Sequence, residues 1–474
     1  MQHNRHFYIS GQWVEAPGVQ EFHVINPATE EASGTIALGS ARHVDWAVTA
    51  ARDAFPSWSV TSVDERAALM ERLVEIYQRR AEEMAQAISL EMGAPITFAR
   101  GLQTETGEGA LVATIEALGA HAFERPSPRG GSLLLDEPVG VCGLITPWNW
   151  PILQIVVKVA PALAAGCTMV LKPSEYSPYS ALLFAEMLDE AGFPPGVFNL
   201  VNGTGPEVGA AMSAHHGIDM ISFTGSTRAG IAVTKSAADT VKRVTLELGG
   251  KSPNLLFADA DIEAATRISV EGCFGNSGQS CDAPTRLLVE RSVYDDVVDI
   301  AAGIAEATQV GPPEQEGDHL GPVVNSSQFL KVQNLIRIGL SEGARCIAGG
   351  TDRPNDLNRG YYIRPTVFAD VGNDMQIARE EIFGPVLSII PFETEADAVR
   401  MANDTPYGLA AYIQTGNDER ALRVARQLRA GSINVNGEAA DYDVPFGGYK
   451  QSGNGREFGQ FGLHDYLEVK AVNR

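Results

Sequence analysis

The chain has 474 residues, 44% hydrophobic and 20% charged, with a formal net charge of −23. That length exceeds one hydrophobic core of ordinary size, so two or three domains are expected in a folded globular protein. The negative field repels phosphate backbones and anionic bilayers, which excludes nucleic acid and membrane as expected partners.

The opening MQHNRHFYISGQWVE has no apolar core of signal-peptide type, and a cytoplasmic protein is expected. From Val44 to about Phe123 the pattern is helical. Ser62 and Glu65 make a capping box, and Leu69, Leu73, Ile76 and Tyr77 follow at helical spacing. Arg125 to Val139 is rich in Pro and Gly with short apolar runs, as in an extended connector or hairpin.

Between Val139 and Lys251 five apolar runs, VGVCGLIT, TMVLKP, VFNLVNG, MISFTGS and RVTLELGG, alternate with helical segments. Such alternation predicts a parallel sheet with right-handed crossovers, which binds ligands outside the carboxyl ends of its strands. TPWNWP, KPSE, NGTGPEVG, FTGS and ELGG fall at those ends. The longest apolar stretch, Ile152 to Leu171, is interrupted by Gln154, Lys158 and Pro161, so it predicts a buried helix plus strand and not a membrane span. A second series, NLLFA, RLLVE, VLSIIPF, LAAYIQ and SINVN, predicts a second α/β domain. No repeat of fixed period is present.

Four motifs carry candidate chemistry. NGTGPEVG sets Gly203, Gly205 and Gly209 between a strand and a helix, where backbone amides can cradle a pyrophosphate; its spacing is one residue longer than the usual dinucleotide fingerprint, and a tight turn is the plainer reading. Of five cysteines, without CxxC or framework spacing, Cys281 alone lies in a polar, glycine-rich loop, FGNSGQSCDAPTR, where a thiol can be held exposed and activated. Cys142, Cys167, Cys273 and Cys346 read as small buried hydrophobes. Neither a disulfide scaffold nor a metal is expected. Glu247 ends the strand RVTLELGG and is a candidate base, against the plainer reading of a solvated edge charge. Asn149, between two tryptophans in TPWNWP, is a candidate oxyanion donor, although turn-making is the commoner role of Asn.

Together these segments resemble the aldehyde dehydrogenase superfamily over nearly the whole chain. The resemblance rests on TPWNWP (146–151), KPSE (172–175), FTGST (223–227), ELGGK (247–251), FGNSGQSC (274–281), EEIFGPV (380–386) and PFGGYKQSGNGRE (445–457). It implies NAD(P)-dependent oxidation of an aldehyde to a carboxylic acid, with Cys281 as nucleophile, Glu247 as general base and Asn149, with the Cys281 amide, as oxyanion donor. It further implies that Lys172 and Glu175 meet the adenine-side ribose and that Gly225 and Ser226 approach the pyrophosphate. Trp148 then lines the cofactor cleft, and Glu381 and Phe383 hold the nicotinamide ribose and ring. The family's glycine spacing is the longer one seen here, which adds Gly205 and Gly209 to the cofactor set. Lys158 and Glu457 match positions implicated in proton relay from the base.

The implied architecture is α/β, with two parallel-sheet domains, one Rossmann-like, and a small β element. The expected bounds are 1–118 and 139–250 for the NAD-binding domain, 251–450 for the catalytic domain, and 119–138 with 465–474 for a bridging element that pairs subunits into a homodimer or homotetramer. NAD is expected over NADP, since a 2′-phosphate would face Glu175. By family position the aldehyde tunnel is lined by Trp150, Leu153, Val157, Phe446 and the loop Gly437 to Val444, without an arginine but with Asp282, Asp441 and Asp443 near. An uncharged aliphatic or aromatic aldehyde is expected, and a semialdehyde is the alternative. Two rivals remain: acylation of a thiol cofactor, disfavoured by the intact ELGGK, and a non-catalytic structural protein on the same fold, disfavoured by the complete residue set.

Overall fold

The computed structural model describes residues 3–15, 18–438 and 441–473. Two α/β sheets form the body. In the first, the strands Val141–Ile145, Thr168–Lys172, Phe198–Leu200, Met220–Thr224 and Arg243–Glu247 run parallel. Their spatial order reverses between Val141–Ile145 and Met220–Thr224, which are direct neighbours. The crevice at such a reversal is where a parallel sheet receives its ligand. All five expected runs are strands. The edges were not foreseen: His6–Ile9 and Gln12–Glu15 add antiparallel to one side, and Gly453–Asn454 returns from the far end of the chain to pair with Arg243–Glu247.

The second sheet has the order Arg345–Ala348, Thr366–Ala369, Val386–Phe392, Arg286–Glu290, Pro253–Leu256, Ala410–Gln414 and Ser432–Val435. Only Arg345–Ala348 is antiparallel, and a register shift breaks its ladder between Cys346 and Ala348. That strand and Thr366–Ala369 are four residues each. Runs so short, one of them bulged, leave little alternation to read. Cys142, Cys167 and Cys273 are buried as expected, whereas Cys346 on this irregular strand is half-exposed.

The expected hairpin is present as Glu124–Pro126 and Ser132–Pro138, and Leu467–Asn473 pairs along the whole of Ser132–Pro138. A further hairpin, Gln20–Asn26 with Glu31–Leu38, precedes the helical section, which begins at Ala41. Ser62 and Glu65 make their capping box, the Ser62 N–H donating to Glu65 at 2.8 Å. The apolar run after TPWNWP becomes the helix Pro151–Ala165 followed by the strand Thr168–Lys172. Pro151 starts the helix, where its missing N–H costs nothing. Every residue of the helix but Leu153 is buried, so it is a core helix throughout. No helix among the described residues is long and apolar enough to cross a membrane.

The two sheets face one another by opposite edges. The first presents the carboxyl ends of its strands, carrying Trp148, Asn149, Gly225 and Glu247. The second presents the amino ends of its strands, with Cys281 ahead of Arg286–Glu290 and Glu381 ahead of Val386–Phe392.

Candidate active site

Between these edges lies a cavity of about 210 Å³ whose walls include Trp148, Asn149, Gly225, Ser226, Glu247, Cys281, Glu381 and Phe383. Eight residues singled out in five separate segments of the sequence thus meet around one space.

The backbone before Cys281 is strained. Asn276, Ser277 and Gly278 all have left-handed φ, at 52°, 56° and 72°. Each non-glycine residue in that region costs on the order of 1 kcal/mol and persists only where its surroundings enforce it. The enforcement is an amide network. Asn276 Nδ2 donates to the Asn149 carbonyl at 2.8 Å, Ser277 Oγ to the Gly321 carbonyl at 2.8 Å, and Gln279 Oε1 accepts the Val324 N–H at 2.9 Å. At Gly278 a Cβ would stand 2.1 Å from the Gly384 carbonyl carbon, so only glycine fits. The composition of FGNSGQSC is the composition this turn requires.

Asn149 is buried, and its Nδ2 donates to the Gln279 carbonyl at 2.9 Å, which fixes the carboxamide plane and leaves the second N–H for another acceptor. Its own carbonyl also receives Gln103 Nε2 at 3.1 Å. Trp150 Nε1 donates to Ser280 Oγ at 2.9 Å, tying the residue before Cys281 to the first sheet's loop.

The carboxylates that folding brings around the thiol carry no signal in its own segment. Cys281 is half-buried, and burial pushes its pKa well above the ordinary value. The carboxylates of Asp282, Glu381, Glu247 and Glu457 push in the same direction. Glycine-rich polarity in the sequence marks the irregular backbone of this turn, and Cys281 lines the cavity at its end. Glu247 is 5% exposed, and neither of its oxygens has a hydrogen-bond partner among the described residues. Burial raises its carboxyl well above the usual range; Glu457 adds to the lift, while Lys158 and Arg456 oppose it. Lys158 Nζ pairs with Glu457 Oε1 at 2.5 Å, both buried.

Glu381 packs against the backbone of Gly249, where a Cβ would lie 2.4 Å from its carboxylate, and accepts the Gly250 N–H at 3.2 Å. Phe383, with φ of 61°, meets the Trp148 ring edge-on at 5.3 Å. Its carbonyl is held by Gln328 Nε2 at 2.8 Å. Gln328 and Lys331 also line the cavity, and the sequence reading missed both, because the helix Ser326–Ser341 carries no motif and only packing brings it there. Lys172, Glu175, Gly205 and Gly209 lie outside this lining. Lys172 Nζ reaches Glu175 at 3.4 Å, and a Cβ on Gly209 would lie 3.8 Å from Lys172, so these neighbour one another at adjacent strand ends. Gly205–Gly209 is a single π-helical turn capped by Thr204, whose side chain accepts the Glu207 N–H.

Trp150 stands 5.7 Å from the Phe98 ring, and Phe446, Phe458 and Tyr442 form a chain of rings 5.6 Å apart. Beside Tyr442 a groove of about 560 Å³ is walled by Glu105, Glu108, Glu116, Asp441 and Asp443 with no basic side chain. Of the loop Gly437 to Val444, positions 439 and 440 lie outside the described residues.

The chain matches the model of the Aldehyde dehydrogenase family over residues 13–472. It is 52% identical over 473 residues to the 3-succinoylsemialdehyde-pyridine dehydrogenase of a Pseudomonas species, covering 100% of this chain and 99% of the relative. Among solved structures it is similar to an aldehyde dehydrogenase from Bartonella henselae, at 52% identity, TM-score 0.98 and 99% coverage of both chains. It is also similar to a cysteine-to-alanine mutant of aldehyde dehydrogenase C from Pseudomonas syringae, complexed with NAD+ and octanal, at 51% identity, TM-score 0.98 and coverage of 100% and 97%.

In the protein without cofactor, alkylation of Cys281 by iodoacetamide, followed on its own peptide, is expected to reach half its maximum above pH 9, the ordinary value of the thiol. Asp282→Asn removes the carboxylate next to Cys281 in the chain and moves that midpoint down, because the thiolate then meets less like charge. A midpoint at or below 9 that Asp282→Asn leaves in place contradicts this electrostatic reading.

Proposed function

The chain belongs to the aldehyde dehydrogenase family, and from this premise we propose that it oxidises an uncharged aldehyde through a thioester on Cys281, which Glu247 hydrolyses. One observation carries the residue roles: Cys281, Asn149, Glu247 and Glu381 wall one cavity between the two sheet edges. Sulfur attacks the carbonyl carbon, and the oxygen that gains charge is met by the free N–H of Asn149 and the Cys281 amide. Burial raises Glu247, which makes its carboxylate a stronger base toward the hydrolytic water than an ordinary glutamate. After hydride leaves, a water deprotonated by Glu247 cleaves the thioester.

The enzyme works with NAD, which accepts the hydride when bound. The donor set fits a dinucleotide. Ser226 caps the helix Thr227–Ala237, whose first amides suit a pyrophosphate, and Glu381 and Glu175 stand as carboxylate acceptors for the two ribose diols. Gly209, which ends the turn begun by Gly205, borders the Lys172 end, and Trp148 and Phe383 wall the other. A 2′-phosphate beside Glu175 meets like charge, which supports NAD over NADP.

The acidic groove beside Tyr442 supports exclusion of a second carboxylate on the substrate. Desolvating such a charge without a cationic partner costs roughly several kcal/mol. The Pseudomonas relative is named for a pyridine-bearing semialdehyde and the Pseudomonas syringae enzyme was solved with octanal, which is consistent with an apolar tunnel past Trp150 and Phe446. The exposed face of Leu467–Asn473, with Val469 at 62%, supports pairing of subunits into a homodimer or homotetramer. Five free thiols support a reducing, cytoplasmic setting.

Cys281→Ser is expected to lower kcat at least about a thousandfold, while Glu247→Gln yields a burst of reduced cofactor and then little turnover. Loss of burst and turnover together in Glu247→Gln assigns it to an earlier step instead. In a coenzyme comparison kcat/KM is expected to be about tenfold or more higher for NAD, and Glu175→Gln narrows the gap; equal values in the unmutated enzyme defeat the reading of Glu175. In direct competition octanal is expected to outrun succinate semialdehyde, and a preference for the latter overturns the reading of the groove.

A further inference from the structure

Lys251, which closes the ELGGK segment, is 1% exposed, and its Nζ has no hydrogen-bond partner among the described residues. The next residue repeats the pattern: Ser252 is 2% exposed, and its Oγ has no partner there either. Neither lines the cavity that holds Cys281. Both wall a separate cavity of about 10 Å³, whose other polar walls are Asn403, Thr405, Tyr407 and Arg429. A space of that size takes about one particle as large as a water.

The surroundings carry one sign. Among the described residues no carboxylate walls this cavity, in a chain whose net charge is −23. Arg286, fully buried, donates from Nε to the Lys251 carbonyl at 3.0 Å and from its other nitrogens to the carbonyls of Met401 and Ala402 at 3.1 and 3.0 Å. Lys450 Nζ donates to the carbonyls of Asn403 and Thr405 at 2.9 and 3.0 Å. Carbonyl groups take up these hydrogens and leave the positive charge in place. Arg429 and Lys450 are exposed and Asn403, Thr405 and Tyr407 half-exposed, so solvent meets the cavity past cationic groups. A buried ammonium with no partner is costly: it gives up its proton or takes a counter-ion.

We propose that Lys251 Nζ and Ser252 Oγ hold a small monovalent inorganic anion, of the chloride and bromide class, and that its binding tightens the hold on NAD. The second half rests on Glu381 being an acceptor for the nicotinamide ribose. Gly250, the residue before Lys251, donates its N–H to Glu381 at 3.2 Å, and a Cβ on it would stand 2.5 Å from the Cys281 carbonyl. An anion bonded to Lys251 and Ser252 orders this segment from its far side, so less ordering is left for the cofactor to impose. Burial pulls the Lys251 ammonium down to about 7; Arg286 and Lys331 pull the same way, while the Cys273 thiol and Glu381 oppose them. Below that pH Lys251 is charged before the anion arrives. Above it the anion must bring a proton with it, so anion affinity falls as pH rises through 7.

Crystals of the enzyme soaked in sodium bromide and measured at the bromine absorption edge are expected to show an anomalous peak touching Lys251 Nζ and Ser252 Oγ. In solution the Kd for NAD, read by quenching of tryptophan fluorescence, is expected to fall about fivefold on saturation with bromide below pH 7, and less above it. Gluconate, too large for the cavity, holds the ionic strength constant. Lys251→Met loses both the peak and the response. Because that variant alters a buried position, Ser252→Ala stands beside it: it needs more bromide for the same response, while its Kd for NAD without halide stays within about twofold. No bromide in the cavity, equal effects of bromide and gluconate, or a response that both variants keep overturns the proposal. Glu381→Gln separates the two readings. If it binds NAD as tightly as the unmutated enzyme, the role of Glu381 is wrong and the peak alone judges the anion site; a weakened Glu381→Gln beside a cavity without bromide condemns only the site. A seated bromide that leaves the Kd unchanged, with Glu381→Gln weakened, overturns the coupling.

Discussion

The hydrogen bond from Asn149 Nδ2 to the Gln279 carbonyl, with its return from Asn276 Nδ2 to the Asn149 carbonyl, joins the two halves of the site. Asn149 hangs from a strand end of the first sheet, whereas Asn276 and Gln279 belong to the turn that delivers Cys281 to the second. Without the turn, the buried Asn149 side-chain N–H loses its partner. Together they fix the carboxamide, hold three left-handed residues in place and set Cys281 and Asn149 on the wall of one cavity. The strain of the turn is stored where chemistry occurs, and the amide network keeps it there.

Charge is the second constraint. Four carboxylates surround a thiol that burial already disfavours as thiolate, and the base among them is buried as well. Water exclusion strengthens every dipole and charge that faces the cavity, the Asn149 carboxamide among them, and it also makes an unpaired buried carboxylate costly. The same negative sign spreads to the groove walled by Glu105, Glu108, Glu116, Asp441 and Asp443.

Much of this was legible in the residues because strand ends and turns carry distinctive composition. RVTLELGG reads as a strand closing on a carboxylate, and Glu247 stands at that end. TPWNWP reads as a strand-to-helix turn, and Asn149 is there beside the reversal of strand order. Other features were hidden for physical reasons. Gln328 and Lys331 reach the cavity from a helix whose pattern is only amphipathic, so nothing local distinguishes them. The pairing of Gly453–Asn454 with Arg243–Glu247 joins residues about two hundred positions apart, beyond any local signal. The carboxylates around Cys281 were hidden because polarity along the chain does not report the groups that folding brings to it.

Acid quenching of the enzyme during turnover with NAD and octanal, followed by mass spectrometry of its peptides, reads the intermediate directly. An octanoyl group on the peptide that carries Cys281, and on none of those carrying Cys142, Cys167, Cys273 or Cys346, is the predicted result. Reduced cofactor accumulating with no acyl group on Cys281 at any quench time, or with the acyl group on another residue, would contradict the assignment.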